Sequence, residues 1–140
     1  MSVLPELKPV SPVTLAAFKK QRMRIVERVV EKSMHRVEEI SQHGEEAEQL
    51  LTSGIDFTTQ ALEVSMQVHS AEMLENQLQW AWDRLPHDGV QHAHLVSRFK
   101  IIAQVINSDL PFQNAQEVDP YVQWLIERQN QLIQAENQAN

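Results

Sequence analysis

Six histidines, several adjacent carboxylates and no cysteine define the chemistry this 140-residue chain can offer. The densest histidine group is His87, His92 and His94, beside Asp88. Zinc needs three or four such donors converging tetrahedrally. On a helix, positions two apart point about 200° apart, so His92 and His94 cannot share an ion there. A polar, titrating first turn is the plainer reading, and no metal site is expected. His69 continues the line of Leu62, Ser65 and Met66 at helical spacing, which would aim it at an interior pocket. A facing histidine there would complete a haem site. A histidine that ends a helix and meets its last carbonyls is the commoner arrangement, and the favoured one. The carboxylate pairs Glu38/Glu39, Glu45/Glu46 and Glu72/Glu75 lie in strongly solvated contexts. An exposed carboxylate keeps its ordinary pKa and does no acid–base work at neutral pH.

No G-x-S-x-G, H-E-x-x-H, phosphate-loop or G-x-G-x-x-G pattern occurs, nor a Glu-x-x-His pair of the di-iron type. Ser33, Ser65 and Ser97 fall inside helical stretches with no motif around them. The expectation is therefore a protein that is not an enzyme. The lack of cysteine excludes disulfides, thiolate metal sites and any thioether-linked chromophore, and makes a reducing cytoplasm the simplest compartment. Met1-Ser2-Val3-Leu4-Pro5 lacks the pattern of a secretory signal, and no apolar run approaches the ~20 residues that span a bilayer. A net charge of −7 argues against nucleic acid as a partner. Seven cations from Lys19 to Arg36 precede an acidic block from Glu38 to Glu48. Such a run is expected to be a solvated face knit by i,i+4 pairs.

The elements that must position these residues are helices. Gly and Pro are scarce, at 3 and 6 residues, while good helix formers are plentiful. No alternating strand pattern appears. Pro5 and Pro9 predict an extended arm over 1–10, with Leu4 able to pack back. Residues 11–134 form one all-helical domain, and 135–140 a frayed polar tail. Ser11-Pro12 starts a helix that the stripe Leu15, Phe18, Ile25, Val26, Val29, Val30, Met34, Val37 and Ile40 carries to about Gln42, where His43-Gly44 ends it. A second helix covers roughly 45–68, with Gly54 allowing close contact or marking a kink. Ser70 caps a third, from 71 to 85, which Pro86 stops. Asp88 caps a fourth through the N–H of Gln91, and that helix runs to about Ser108. Residues 109–112 make a turn, and Asp119-Pro120 starts a last helix. Five helices result, in an antiparallel bundle or a globin-like orthogonal pile.

Leu74-Glu75-Asn76-Gln77-Leu78-Gln79-Trp80-Ala81-Trp82-Asp83-Arg84-Leu85-Pro86-His87-Asp88-Gly89-Val90, the helix after it, and Asp119-Pro120-Tyr121-Val122-Gln123-Trp124-Leu125 resemble globin-like sensor modules. These are the non-haem globin domains of bacterial stressosome-type sensors and the phycocyanin-like helical domains of cyanobacteria. The resemblance covers about half the chain and rests on helix order and local residues. It implies a globin-like (phycocyanin-like) fold, dimerisation through long helices, and a sensory or regulatory role in bacterial signalling. Pigmented relatives attach bilin through cysteine, so a covalent bilin is excluded here. Haem globins place an axial histidine near the position of His87 or His92, and a haem- or tetrapyrrole-binding globin is one alternative. An adaptor subunit of a larger assembly is another.

Trp82, following Leu74 and Leu78 inward, is expected to fill an internal pocket with Phe99, Ile102 and His69. No cofactor is expected in it. Trp80, on a mixed face with Met73, Gln77 and Arg84, is a candidate interface anchor. The stripe of the first helix exceeds what the other helices can easily cover. Val29 and Val30 therefore join Trp80 as interface candidates in a homodimer.

Overall fold

Ser11 begins the first helix as its position before Pro12 predicts. Its backbone is extended and its Oγ accepts from the Thr14 N–H at 3.2 Å. A computed structural model describes residues 3–35 and 46–139 of the chain. The described residues form α1 (Pro12–Ser33), α2 (Ala47–Val68), α3 (Glu72–Arg84), a 3₁₀ turn (Leu85–Asp88), α4 (His92–Asp109) and α5 (Phe112–Ala139), with no strand among them. No helix among them is long and apolar enough to cross a membrane.

α4 packs along α5 and against α1, while α2 lies between α1 and α3. The core where they meet includes Phe18, Ile25, Leu51, Ile55, Leu62, Leu74, Leu78, Phe99, Ile102, Ile106, Tyr121 and Leu125. The arm before α1 has no regular element. Leu4, Leu7 and Val10 pack on the core, and the Tyr121 hydroxyl donates to the Lys8 carbonyl at 2.7 Å. Glu117 of α5 accepts from both the Ser11 N–H (2.8 Å) and the Ser11 hydroxyl (3.1 Å), clamping the start of α1.

Several boundaries differ from the sequence reading. α1 ends at Ser33, with Met34 and His35 in a turn, rather than running to Gln42. The expected continuation, including Val37, Ile40 and the His43-Gly44 end, falls outside the described residues. His69 closes α2 in the left-handed conformation, φ 39° and ψ 50°, with its N–H on the Ser65 carbonyl. Ser70 Oγ then accepts from the Glu72 N–H at 3.2 Å, although Ala71 and not Ser70 occupies the N-cap of α3. Pro86 falls in the 3₁₀ turn after α3, and Gly89 leaves that turn at φ 81°. Asp88 does not cap α4. Its carboxylate pairs with Arg84 at 3.3 Å, and Gln91 stands at the N-cap without a side-chain bond.

Asp119-Pro120 is not a helix start but lies inside α5. Ala115 and Val118, ahead of the proline, are buried in line with Val122 and Leu125, and this burial carries the helix through the missing N–H. The Asp119 carboxylate instead accepts from Asn107 of α4 at 3.0 Å. α5 continues to Ala139 with exposed side chains, where the sequence predicts a frayed tail.

Candidate functional site

Helices α2, α3 and α4 do not close completely on one another. They enclose a cavity of about 240 Å³ lined mainly by apolar side chains. Its inner wall is core: Ile55 of α2, Ala81 of α3, and Leu95, Phe99 and Ile102 of α4. Its mouth is a pair of surface aromatics. Phe57 and Trp80 stand with ring centroids 5.8 Å apart and are 50% and 56% exposed.

Two polar side chains also line the cavity, and both are buried. Arg98 of α4 is 5% exposed and Gln77 of α3 is 8% exposed. Gly54 of α2 stands opposite the arginine: a β-carbon at that position would lie 3.4 Å from Arg98 Nη1, in van der Waals contact. A hydrogen-bond chain fixes how Gln77 is turned. The Thr58 hydroxyl donates its one proton to the Gly54 carbonyl at 3.0 Å. Thr58 Oγ1 must then accept, and Gln77 Nε2 donates to it at 2.7 Å. The amide oxygen therefore takes the opposite side, where Gln77 Oε1 is buried with no hydrogen-bond partner among the described residues. Asp88 and Leu85 complete the rim, with Asp88 held by Arg84.

Of the four residues expected at an internal pocket, Phe99 and Ile102 both line this cavity. Trp80 lies at its mouth, and so combines an exposed aromatic face with the pocket. His69 does not join them. It is exposed at the end of α2, where the left-handed cap directs the chain toward α3. Trp82 does not line the cavity either. It lies about 100° round α3 from Ala81, half-buried, with its ring stacked on His92 at a centroid distance of 3.5 Å. His92 Nε2 is 3.1 Å from the Trp82 carbonyl and Nδ1 is 3.5 Å from Glu136 of α5.

Val29 and Val30 are not surface residues. Both are buried in the chain's own core, because α2, α4 and α5 all pack on α1 and cover its described stripe. Of the other histidines, His94 is buried in α4 and His87 is exposed in the 3₁₀ turn. No histidine lines the cavity among the described residues.

Sequence reasoning missed Arg98, Gln77 and Phe57. The signal for the first two was present: Arg98 falls between Leu95 and Ile102, and Gln77 between Leu74 and Ala81, on the apolar stripes of their helices. A polar residue at a core position implies a partner or a ligand.

The carboxylates elsewhere serve as ion-pair and hydrogen-bond partners. Arg22 hydrogen-bonds to Asp56 of α2 and holds its carboxyl below the usual range. Arg128 of α5 grips Glu75 through two bonds of 2.7 and 3.2 Å and lowers it likewise, so Glu75 is not the freely solvated group the sequence suggests. Glu117 is lowered by the Thr14 hydroxyl and then by the Ser11 N–H. The α1 cations also reach across helices rather than only along their own, with Arg28 3.4 Å from Asp109 of α4. A carboxyl held ionised this way accepts hydrogen bonds and does not donate protons near neutral pH.

No family model, curated protein or solved structure matches this chain.

Proposed function

We propose that the chain is a non-enzymatic sensory or regulatory module, globin-like in its helical arrangement, that takes a small apolar ligand between α2, α3 and α4. The observation that carries this reading is the cavity of about 240 Å³ running from core residues Phe99 and Ile102 to the exposed Phe57–Trp80 pair. An apolar cavity of ~150 Å³ is already large enough to take benzene. A ligand here touches three helices at once, so its binding favours one packing of α2 on α3 over others. The exposed aromatic pair is where that change reaches the surface, and an exposed Trp is a suitable anchor for a partner protein or a second copy. The dimer reading rests on Trp80 alone, since Val29 and Val30 are enclosed within the chain.

The test is titration of the protein with the neutral probe p-cresol, followed by amide hydrogen exchange and by the Trp80 indole resonance. Saturable movement of that resonance, with slower exchange over Gly54–Thr58 and Gln77–Ala81, is expected. A Trp80 signal that drifts without saturating would remove the ligand reading.

A further inference from the structure

The cavity is mainly apolar, but one polar atom of its wall is left over. We infer that the cavity selects a neutral aromatic molecule with one hydrogen-bond donor, a phenol being the simplest, and that the donor goes to Gln77 Oε1. This inference rests on the cavity being a ligand site, and it names the ligand class.

Gln77 lines the cavity and is more than nine-tenths buried. Its amide nitrogen is committed to the Thr58 hydroxyl at 2.7 Å, whose own proton goes to the Gly54 carbonyl. That chain leaves Oε1 as the end without a partner among the described residues. The Thr58 proton is spent in it, and Arg98 is engaged in a contact of its own, so neither is offered to a ligand. An acceptor closed off from water costs free energy until a donor reaches it. A ligand that brings a donor therefore gains over a hydrocarbon of the same shape. The last torsion of a glutamine is broad, so a small turn carries Oε1 toward such a donor while Nε2 stays on Thr58. Leu95, Phe99 and Ile102 are the apolar wall beside it and suit a flat ring. An ion entering the cavity would give up its hydration, while the charged groups of the wall, Arg98 and Asp88, are already engaged. A phenol avoids that cost, because its hydroxyl ionises, like that of tyrosine, only near pH ~10.

The experiment compares p-cresol with p-xylene, in which a methyl group replaces the hydroxyl, and with 4-methylanisole, which keeps the oxygen but not its proton. Binding is read by calorimetry and by the side-chain carbonyl carbon resonance of Gln77 in the native protein. With p-cresol that resonance is expected to move downfield. The other two probes bring the same ring current and are expected to leave it in place. In Gln77→Met the affinity for p-cresol relative to p-xylene should fall roughly fivefold or more, as loss of one hydrogen bond to a buried acceptor requires. Three results would each overturn the donor inference and leave the apolar cavity reading intact: an unmoved carbonyl resonance at saturating p-cresol, a relative affinity unchanged in Gln77→Met, or binding of p-xylene without p-cresol. Failure of all three probes to bind would overturn both. The carbonyl resonance decides the matter even if Gln77→Met does not fold.

Discussion

At the residue scale, Gly54 connects packing to the cavity. A glycine inside a helix costs up to ~1 kcal/mol relative to alanine, because its backbone loses more freedom on folding. Here it stands opposite the Arg98 guanidinium, with 3.4 Å available to a β-carbon. That is ordinary van der Waals contact, so Gly54→Ala is expected to raise stability by about 0.5–1 kcal/mol, read from the urea midpoint. Gly54→Leu adds three more carbons than that space holds. It must displace the guanidinium or fill the cavity, and a loss of about 1–3 kcal/mol is expected. The same variant should abolish binding of p-cresol. If Gly54→Leu bound p-cresol as the native protein does, the ligand would lie elsewhere.

At the element scale, α5 holds the clearest conflict between local preference and tertiary packing. Pro120 lacks the N–H that would bond the Gln116 carbonyl one turn back, and its ring crowds that turn. Burial of Ala115, Val118, Val122 and Leu125 along one stripe overrides the penalty. Pro120→Ala should therefore stabilise the protein by about 1–2 kcal/mol, since a gain of up to ~3 is offset by greater freedom of the unfolded chain. Urea unfolding at pH 7 checks this, and an unchanged or lower midpoint would mean that the proline bend itself improves the packing.

The same element explains what the sequence could and could not reveal. The five helices were legible, because apolar spacing, Ser11-Pro12 and Pro86 are local signals. Asp119-Pro120 misled because a cap-then-proline pair is also local, whereas the burial that carries α5 through it comes from α1 and α4. Val29 and Val30 misled for a related reason: a stripe shows that a face is buried but not against which chain. Of the cavity lining, the apolar stripes pointed to Phe99 and Ile102, whereas Trp80 was expected at an interface and not at a pocket. Arg98 and Gln77 needed the fold, since only the crossing of three helices brings one polar residue from each of two stripes beside Gly54 of the third.

At the scale of the whole molecule, the lowered carboxyls all join different helices. Asp56 ties α2 to α1, Glu75 ties α3 to α5, and Glu117 ties α5 to the start of α1. Each is below its ordinary pKa in the folded chain and regains that value on unfolding. The unfolded state therefore binds protons first as pH falls, so these contacts stabilise the fold fully above about pH 5 and progressively less through pH 4.5 and below. Asp56 and Glu75 side chains are about one-third exposed, which screens each contribution, and the loss is a shared slope rather than a single step. Tyr121 acts at the other end. Burial raises its pKa, so the unfolded chain ionises first and stability falls above about pH 10. Thermal melts from pH 3 to 11 should give a plateau between about 5 and 10 with a decline on both sides. Glu75→Gln should flatten part of the acid decline and leave the alkaline one unchanged. Tyr121→Phe should do the reverse, while also releasing the Lys8 carbonyl and making the arm before α1 easier to cleave by protease. A melting temperature constant from about pH 5 down to 3 would show that these three contacts contribute no net stability.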